Sequence, residues 1–409
     1  MMERKQKKIL ILGVGEAQRN LIQASLNQGY YVIVCDLRED REGAKLANKY
    51  YKVDYMDRKA VLEIAQRENI DGVISNSEPA MLNVAYIAEQ LGLPGNSMES
   101  IETLLSKGKF RELQKKVGVY SPKHYVASSF DELVQYANKI NYPVIIKPTE
   151  SSGTRGTEKF NFFDEKEWKR AYEICHSFSR NGLVTLEEYV EMRSLTVNDA
   201  DVFVIGDEII WDGWLWENRS KDMPMLPMTE VFPMALSKEK KDKIRDIVEK
   251  ILRGSGVKLG EYNVETYDTL TDEIFVIEIN PRQAGNHIPQ LIEQHTGVDL
   301  TRLLVSTAVG DMSYYEHLKT YQRENNFVTL QVVFSKRDGI FERLYISPKI
   351  EGYVKWIDIT VKQGDMVERG INAEQAVAYV DLLFPDYETQ HLFTDRIEKY
   401  IYPILKNDF

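Results

Sequence analysis

The chain has 409 residues, 43% hydrophobic and 28% charged, with a formal net charge of −11. That length holds about two to four domains or lobes, and the acidic balance, with no basic stripe, excludes nucleic acid as the main partner. No run of about eighteen apolar residues supplies a membrane-spanning helix, so no membrane partner is expected.

The N-terminal string MMERKQKK is basic, but the apolar ILILGVG after it is short and broken by glycine. A secretory signal needs a longer apolar stretch and a small-residue cleavage site. From there to about residue 103 strand and helix patterns alternate. The strand KILILGV precedes a helix over Glu16–Gln28, and YYVIVCD precedes a helix over Arg41–Lys49. YYKVD precedes a helix over Arg58–Glu68, and GVIS precedes one over Ala80–Leu91. Such alternation predicts a doubly wound parallel sheet covered on both faces. The first loop, GVGEAQ, resembles the start of a dinucleotide fingerprint, with Asp36 at the end of the next strand. The third glycine is missing, and Gln18 stands in its place. The alternative is a plain strand-to-helix turn.

Next comes a helix with a basic start, LLSKGKFRELQKKVGVYSP, ended by Gly118 and Pro122. YPVIIKP reads as a buried strand ending in Lys147. The polar loop TESSGTRGTEKF follows, then a helix over Glu165–Phe178 and the strand LVTLEEYV. The segment TVNDADVFVIGDEIIWDGWLW predicts a hairpin turning at Gly206 and Asp207. Residues 236–254 predict an amphipathic helix, and PQLIEQHTG starts another. From Asn326 onward the sequence reads mainly as strand. The boundaries predicted are 1–103, 104–190, 191–320 and 321–409, the last a small β-rich domain. The two cysteines, Cys35 and Cys175, are far apart and read as buried thiols of a reducing, cytoplasmic compartment.

Candidate chemistry gathers near GEYNVET and FVIEINPRQAG. EIFVIEIN alternates, so Glu278 and Asn280 share one strand face. A hairpin centred on the polar turn Asp268–Asp272 sets Glu265 roughly opposite Glu278. Like charges directly opposite destabilise a sheet, so a cation between them is expected, and hard oxygen donors with an amide suit Mg²⁺ bearing substrate phosphates. The alternative is a solvated strand face. Lys147, a strand-end cation beside a glycine loop, is placed to meet a polyphosphate. Ser152, Gly153, Thr154 and Gly156 supply hydroxyls and N–H groups around phosphate oxygens, unless the loop is a plain hairpin connection. A strand end at Glu187–Val190 that becomes a hinge offers backbone groups to an adenine edge, or is an ordinary edge strand.

The order of these pieces resembles the ATP-grasp superfamily over nearly the whole chain. The resemblance rests on Lys107 in SKGKFR, Lys147 in IIKP, the SSGTRG loop, the EEYV hinge, Glu265 and the EINPR string. It implies an α/β and α+β fold: a pre-ATP-grasp doubly wound domain, a two-lobed ATP-grasp domain and a β-rich C-terminal domain. ATP and Mg²⁺ are the implied cofactors. Lys147 and Lys107 (with Lys109 as a rival for the second position) would contact nucleotide phosphates, and Ser152, Gly153, Thr154 and Gly156 would form the lid. Glu187 would face the adenine amino group, with backbone from Glu188, Tyr189 and Val190 on the ring edge. Glu265 and Glu278 would hold Mg²⁺ with Asn280, and Arg282 would steady the transferred phosphoryl. The usual ribose-binding acid is replaced in EMRSLTVND, where Asp199 or Asp201 is the substitute.

The implied reaction is ADP-forming carboxylate–amine ligation through an acyl phosphate, on small-molecule acid and amine substrates, most like L-amino acid ligases. A homodimer through the N-terminal domain is also implied. The alternatives are a carboxylase- or purine-biosynthesis-type enzyme and a non-catalytic nucleotide-binding protein. For substrate choice, WDGWLWENRSKDMPMLPMTEVFPM is rich in Trp, Met and Pro, which predicts a long irregular loop lining an apolar pocket; the alternative has the tryptophans on an inner strand face. Trp216, Arg219 (with Lys221) and His287 are the substrate candidates.

Overall fold

Three mainly apolar strands and a polar edge strand, alternating with helices, build the first sheet. They are β1 (Lys8–Leu12), α1 (Glu16–Asn27), β2 (Tyr31–Asp36), α2 (Glu42–Leu46), β3 (Lys49–Lys52), α3 (Arg58–Glu68), β4 (Gly72–Ile74) and α4 (Met81–Leu91). The computed structural model describes residues 6–150, 155–219, 226–372 and 375–406. The four strands run parallel in the order β3-β2-β1-β4. Ile9 to Leu12 are fully buried, as expected for a sheet covered on both faces. Helix α2 is shorter than predicted because Lys49 already pairs with Ile33, and the Asn48 side chain accepts the Val32 N–H at 2.7 Å.

In the first loop, a Cβ built on Gly13 or Gly15 would lie 3.2 Å from the side chain of Gln18. Gln18 is buried and fills the loop itself. Asp36 accepts the Val14 N–H at 3.1 Å and the Arg38 guanidinium at 2.7 Å. These are turn contacts.

Helices α5 (Met98–Leu105) and α6 (Lys107–Lys116) lead into a smaller lobe. It contains β5 (His124–Ala127), α7 (Phe130–Tyr136), β6 (Val144–Pro148), β7 (Glu158–Phe160), α8 (Glu165–Phe178) and β8 (Val184–Glu188). Its antiparallel sheet has the order β5-β8-β6-β7, and α8 buries Trp168 and Cys175 against it.

The largest sheet among the described residues has eight strands, in the order β13-β12-β9-β10-β11-β14-β18-β16. These are β9 (Thr196–Ile205), β10 (Glu208–Arg219), β11 (Pro227–Phe232), β12 (Leu259–Asp268), β13 (Ile274–Asn280), β14 (Phe327–Phe334), β16 (Val354–Ile359) and β18 (Ala376–Phe384). Strands β14, β16 and β18 extend the sheet that carries Glu265 and Glu278. A three-stranded sheet of β15 (Gly339–Ile346), β17 (Met366–Val367) and β19 (Ile401–Leu405) packs beside it, with α13 (Tyr387–Thr394).

One face of the large sheet presents Ala200, Val202, Trp214, Val264 and Val276 to α9 (Lys238–Ser255). The opposite face presents Phe203, Leu215, Phe232 and Leu330 to α10 (Ile288–Thr296), α11 (Leu300–Ala308) and α12 (Ser313–Leu318). The Trp/Met/Pro-rich stretch is therefore not one long irregular loop. Strand β10 continues to Arg219 and β11 begins at Pro227, because sheet pairing overrides the turn-like local composition. No helix among the described residues is long and apolar enough to cross a membrane.

Candidate active site

Strands β12 and β13 pair antiparallel with Glu265 directly opposite Glu278 and Asn263 opposite Asn280. The register shifts just beyond Glu265, a bulge that re-aims the side chains of β13. Across β12, Glu265 faces Asp199 and Asn263 faces Asp201 on β9. One sheet face thus carries a band of acids and amides. Asn280 donates to the Glu278 carboxylate at 2.9 Å, and Asn263 donates to Asp199 at 2.9 Å.

The two central carboxylates titrate apart. Burial, then the charges of Glu278 and Glu217, push Glu265 up to about 8. Burial also acts to raise Glu278, but Lys107, the Asn280 amide, Arg282 and Lys147 outweigh it and hold Glu278 below its ordinary value. The Lys107 ammonium stands 4.0 Å from Glu278. A divalent cation would replace the proton on Glu265 and remove the repulsion. Among the described residues no three His, Cys, Asp or Glu side chains form a metal cage. A cation here would draw instead on Glu265, Glu278, the Asn280 amide and ligand oxygens, a donor set that fits Mg²⁺ on a row of phosphates.

The smaller lobe meets this band through α6. Arg111, Gln114 and Lys107 lie three and four residues apart on one helix face. Arg111 donates to the Ile277 carbonyl at 2.9 Å, and Gln114 donates to Val276 at 2.9 Å, both on β13. Arg111 also donates to the Glu187 carboxylate on β8 at 2.9 Å, and Lys147 on β6 donates to its other oxygen at 3.0 Å. Burial would raise Glu187, but the Arg111 and Lys147 charges hold it down at about 2. Burial, with Arg111 and Lys107 nearby, pulls Lys147 down to about 8 against the opposing pull of Glu187.

Lys147, Lys107, Glu265, Glu278 and Asn280 come together, with Arg282 in the loop directly after β13. The Arg282 guanidinium donates to the Gln283 carbonyl at 2.8 Å. Lys109 points elsewhere, pairing with Glu102 at 2.7 Å, so Lys107 is the lysine on the site. Gly156 adopts a left-handed φ of +70°, which favours glycine. Ser152, Gly153, Thr154 and Lys221 lie outside the described residues.

The hinge differs from expectation. Glu187 is 3% exposed and committed to two cations, not turned toward a base. Glu188 accepts from the Asn141 side chain at 2.8 Å. The N–H groups of Glu188 and Tyr189 donate to the Lys123 and Pro143 carbonyls, and the Val190 carbonyl accepts the Tyr267 hydroxyl at 2.7 Å. The ribose substitutes fail on geometry: Asp201 is fully buried and accepts the Ala284 N–H, and Asp199 is held by Asn263 beneath the same face.

Of the substrate candidates, Arg219 reaches the acid band: it pairs with Glu217 and stands 4.0 Å from Glu265. Trp216 lies on the opposite face from the acid band, partly buried against the core beneath α9. His287 precedes α10 and meets Trp356 and Tyr379 edge-on, at 4.9 and 5.3 Å between ring centres. Sequence reasoning missed Arg111 and Glu217. Spacing of four from Lys107 on a helix was the available signal for Arg111, and strand alternation with Arg219 was the signal for Glu217.

The model of the carbamoyl-phosphate synthase L chain ATP-binding domain matches residues 106–313, about half of the sequence. The protein belongs to that family, and through it to the ATP-grasp superfamily. An uncharacterised protein of Sinorhizobium fredii is 28% identical over 276 residues, 67% of this chain and 55% of the relative. In Aquifex aeolicus, the C-terminal section of the large subunit of carbamoyl phosphate synthase is 26% identical over 326 residues, 74% of this chain and 58% of the relative. The protein thus spans a little over half the length of these two relatives. Among solved structures, an L-amino acid ligase from Bacillus licheniformis superposes with a TM-score of 0.79 at 17% identity, covering 98% of this chain and 99% of that one. A phosphoribosylglycinamide synthetase from Anaerococcus prevotii superposes with a TM-score of 0.75 at 20% identity, covering 98% and 100%. These likenesses show the fold: a parallel α/β sheet followed by an ATP-grasp architecture.

Proposed function

We propose that the protein is an ATP- and Mg²⁺-dependent, ADP-forming ligase that joins a small carboxylic acid or amino acid to an amine. The observation that carries this is the register pairing of Glu265 with Glu278, with Lys107, Lys147 and Asn280 around them. Mg²⁺, bound by Glu265, Glu278 and Asn280, would supply charge neutralisation on the nucleotide phosphates.

In this reading a substrate carboxylate oxygen attacks the γ-phosphorus. The β–γ bridging P–O bond breaks and ADP leaves with the bridging oxygen. The amine nitrogen then attacks the acyl carbon, phosphate leaves, and the nitrogen loses a proton. Phosphoryl transfer needs alignment and charge neutralisation more than covalent help from the protein. Lys147 and Lys107 would meet the nucleotide phosphates and Arg282 the transferred group. The lobe containing Gly156 would exclude water from the acyl phosphate.

A second reading, activation of a one-carbon acid, is supported by relatives named carbamoyl phosphate synthase and formate-dependent phosphoribosylglycinamide formyltransferase. An ADP-release screen of amino acids singly and in pairs, with bicarbonate and formate as further acids, tests both. ADP release that requires an acid and an amine together, with an amide product by mass, is the expected result. ADP release with bicarbonate or formate alone supports the second reading. The absence of turnover with every combination contradicts both.

A further inference from the structure

On the face that carries Glu265, strands β10 and β11 set Glu217 directly opposite Glu230. Like charges so placed destabilise a sheet unless something intervenes. Glu217 is answered by Arg219. Glu230 is 1% exposed; one oxygen accepts from the Asn286 amide at 3.4 Å, and its other oxygen, Oε2, has no hydrogen-bond partner among the described residues. Glu265 adds to the field at Glu230, and Asp199 feels both Glu230 and Glu265. Among the described residues, the ion pairs of these four acids come from Arg219 alone.

Burial and then Glu217 raise the Glu230 carboxyl well above its ordinary range. Among the described residues, Glu230 has no ion-pair partner. Asn286, in the loop before α10, meets Glu230; the next residue, His287, contacts the rings of Trp356 and Tyr379, and Tyr379 feels the charge of Glu230. Aromatic rings beside a buried acid suit an organic cation.

Strand β11 is three strands from β12, which is about 14 Å across the sheet. Glu278 lies one strand farther still, so a group held by Glu230 sits at the other end of the acid band from Glu278, with Arg219 between Glu217 and Glu265. A cation held there is not the nitrogen that attacks the acyl carbon, because that nitrogen must be uncharged when it reacts.

We infer that Glu230, with Glu217, binds the distal ammonium or guanidinium of a basic amino acid that is one of the two substrates. This rests on the ligase reading for its context, and its test separates the two. Calorimetric titration of the full-length protein with ornithine, lysine and arginine, against the uncharged norvaline and norleucine, reads the site directly. At least one basic amino acid binds ten-fold or more tightly than the neutral pair. Glu230→Gln, which keeps a hydrogen-bonding group and removes the charge, lowers that preference by a similar factor. Should the variant fail to fold, the wild-type comparison decides. Equal binding of basic and neutral amino acids overturns the inference. The ADP-release screen reads the ligase proposal separately. Preference for basic amino acids without turnover upholds the site and sinks the ligase, and turnover confined to neutral amino acids does the reverse.

Discussion

Arg111 on α6 and Glu187 on β8 form a pair at 2.9 Å, both under 5% exposed. The same guanidinium donates to the Ile277 carbonyl on the strand that carries Glu278. One side chain therefore ties the smaller lobe to the acid-bearing strand, and Lys147 is held in place by the same carboxylate.

Removing one partner of a buried pair leaves an uncompensated charge, at a cost of roughly 3–5 kcal/mol. Arg111→Met is expected to lose stability in that range by denaturant unfolding. Adding Glu187→Met to it is expected to recover part of the loss. A double variant no more stable than Arg111→Met would show that the pair is not coupled as described.

The raised value of Glu265 gives a pH dependence with a definite sign. Its folded value of about 8 lies above the ordinary 4.5, so the native state holds the proton that the unfolded state releases. The stability difference between wild type and Glu265→Gln is steady below about pH 4.5. It moves against the wild type as pH rises toward 8 and levels off above that, for a total on the order of a few kcal/mol. Unfolding curves at pH 5.5, 7 and 8.5 measure it. Calorimetry in buffers of different ionisation enthalpy is expected to find protons released when Mg²⁺-ATP binds near neutral pH. A flat stability difference with no proton release contradicts the placement.

Trp216 packs, partly buried, against the core beneath α9. Trp216→Ala is expected to cost roughly 3 kcal/mol in stability while leaving the KM of both substrates within about two-fold. A KM change of ten-fold or more at unchanged stability would return Trp216 to the substrate pocket.

Arg282 stands directly after the strand bearing Glu278 and Asn280. Arg282→Met is expected to lower kcat by about 10²–10³-fold, as for loss of a charge-stabilising donor, with little change in ATP affinity by calorimetry. A proportionate loss of ATP affinity instead would make it a ground-state binding residue.

Local periodicity explains which features the sequence discloses before folding. EIFVIEIN alternates and its polar turn is short, so the pairing of Glu265 with Glu278 can be read from residues that neighbour one another in sequence. Strands β1, β2 and β4 are mainly apolar runs, which is how doubly covered strands look, whereas the edge strand β3, KYYK, is half-buried. The Arg111–Glu187 pair spans 76 residues and two lobes, and no local pattern announces it. Strand β11 hides in a Pro- and Met-rich segment that local propensity reads as loop, and only its pairing with β10 and β14 makes it a strand. The same pairing creates the Glu217–Glu230 juxtaposition, so that site was equally invisible. The continuity of the large sheet from β11 into β14 joins residues about a hundred positions apart, beyond the reach of any periodicity argument.

The central claim is that Glu265 and Glu278 hold the divalent cation that carries the nucleotide. Glu278→Gln tests it most directly, because the amide preserves shape and removes the charge. The account predicts a variant that unfolds cooperatively like wild type but has lost Mg²⁺-dependent ADP release by at least a hundred-fold. Wild-type turnover in a folded Glu278→Gln protein would contradict it.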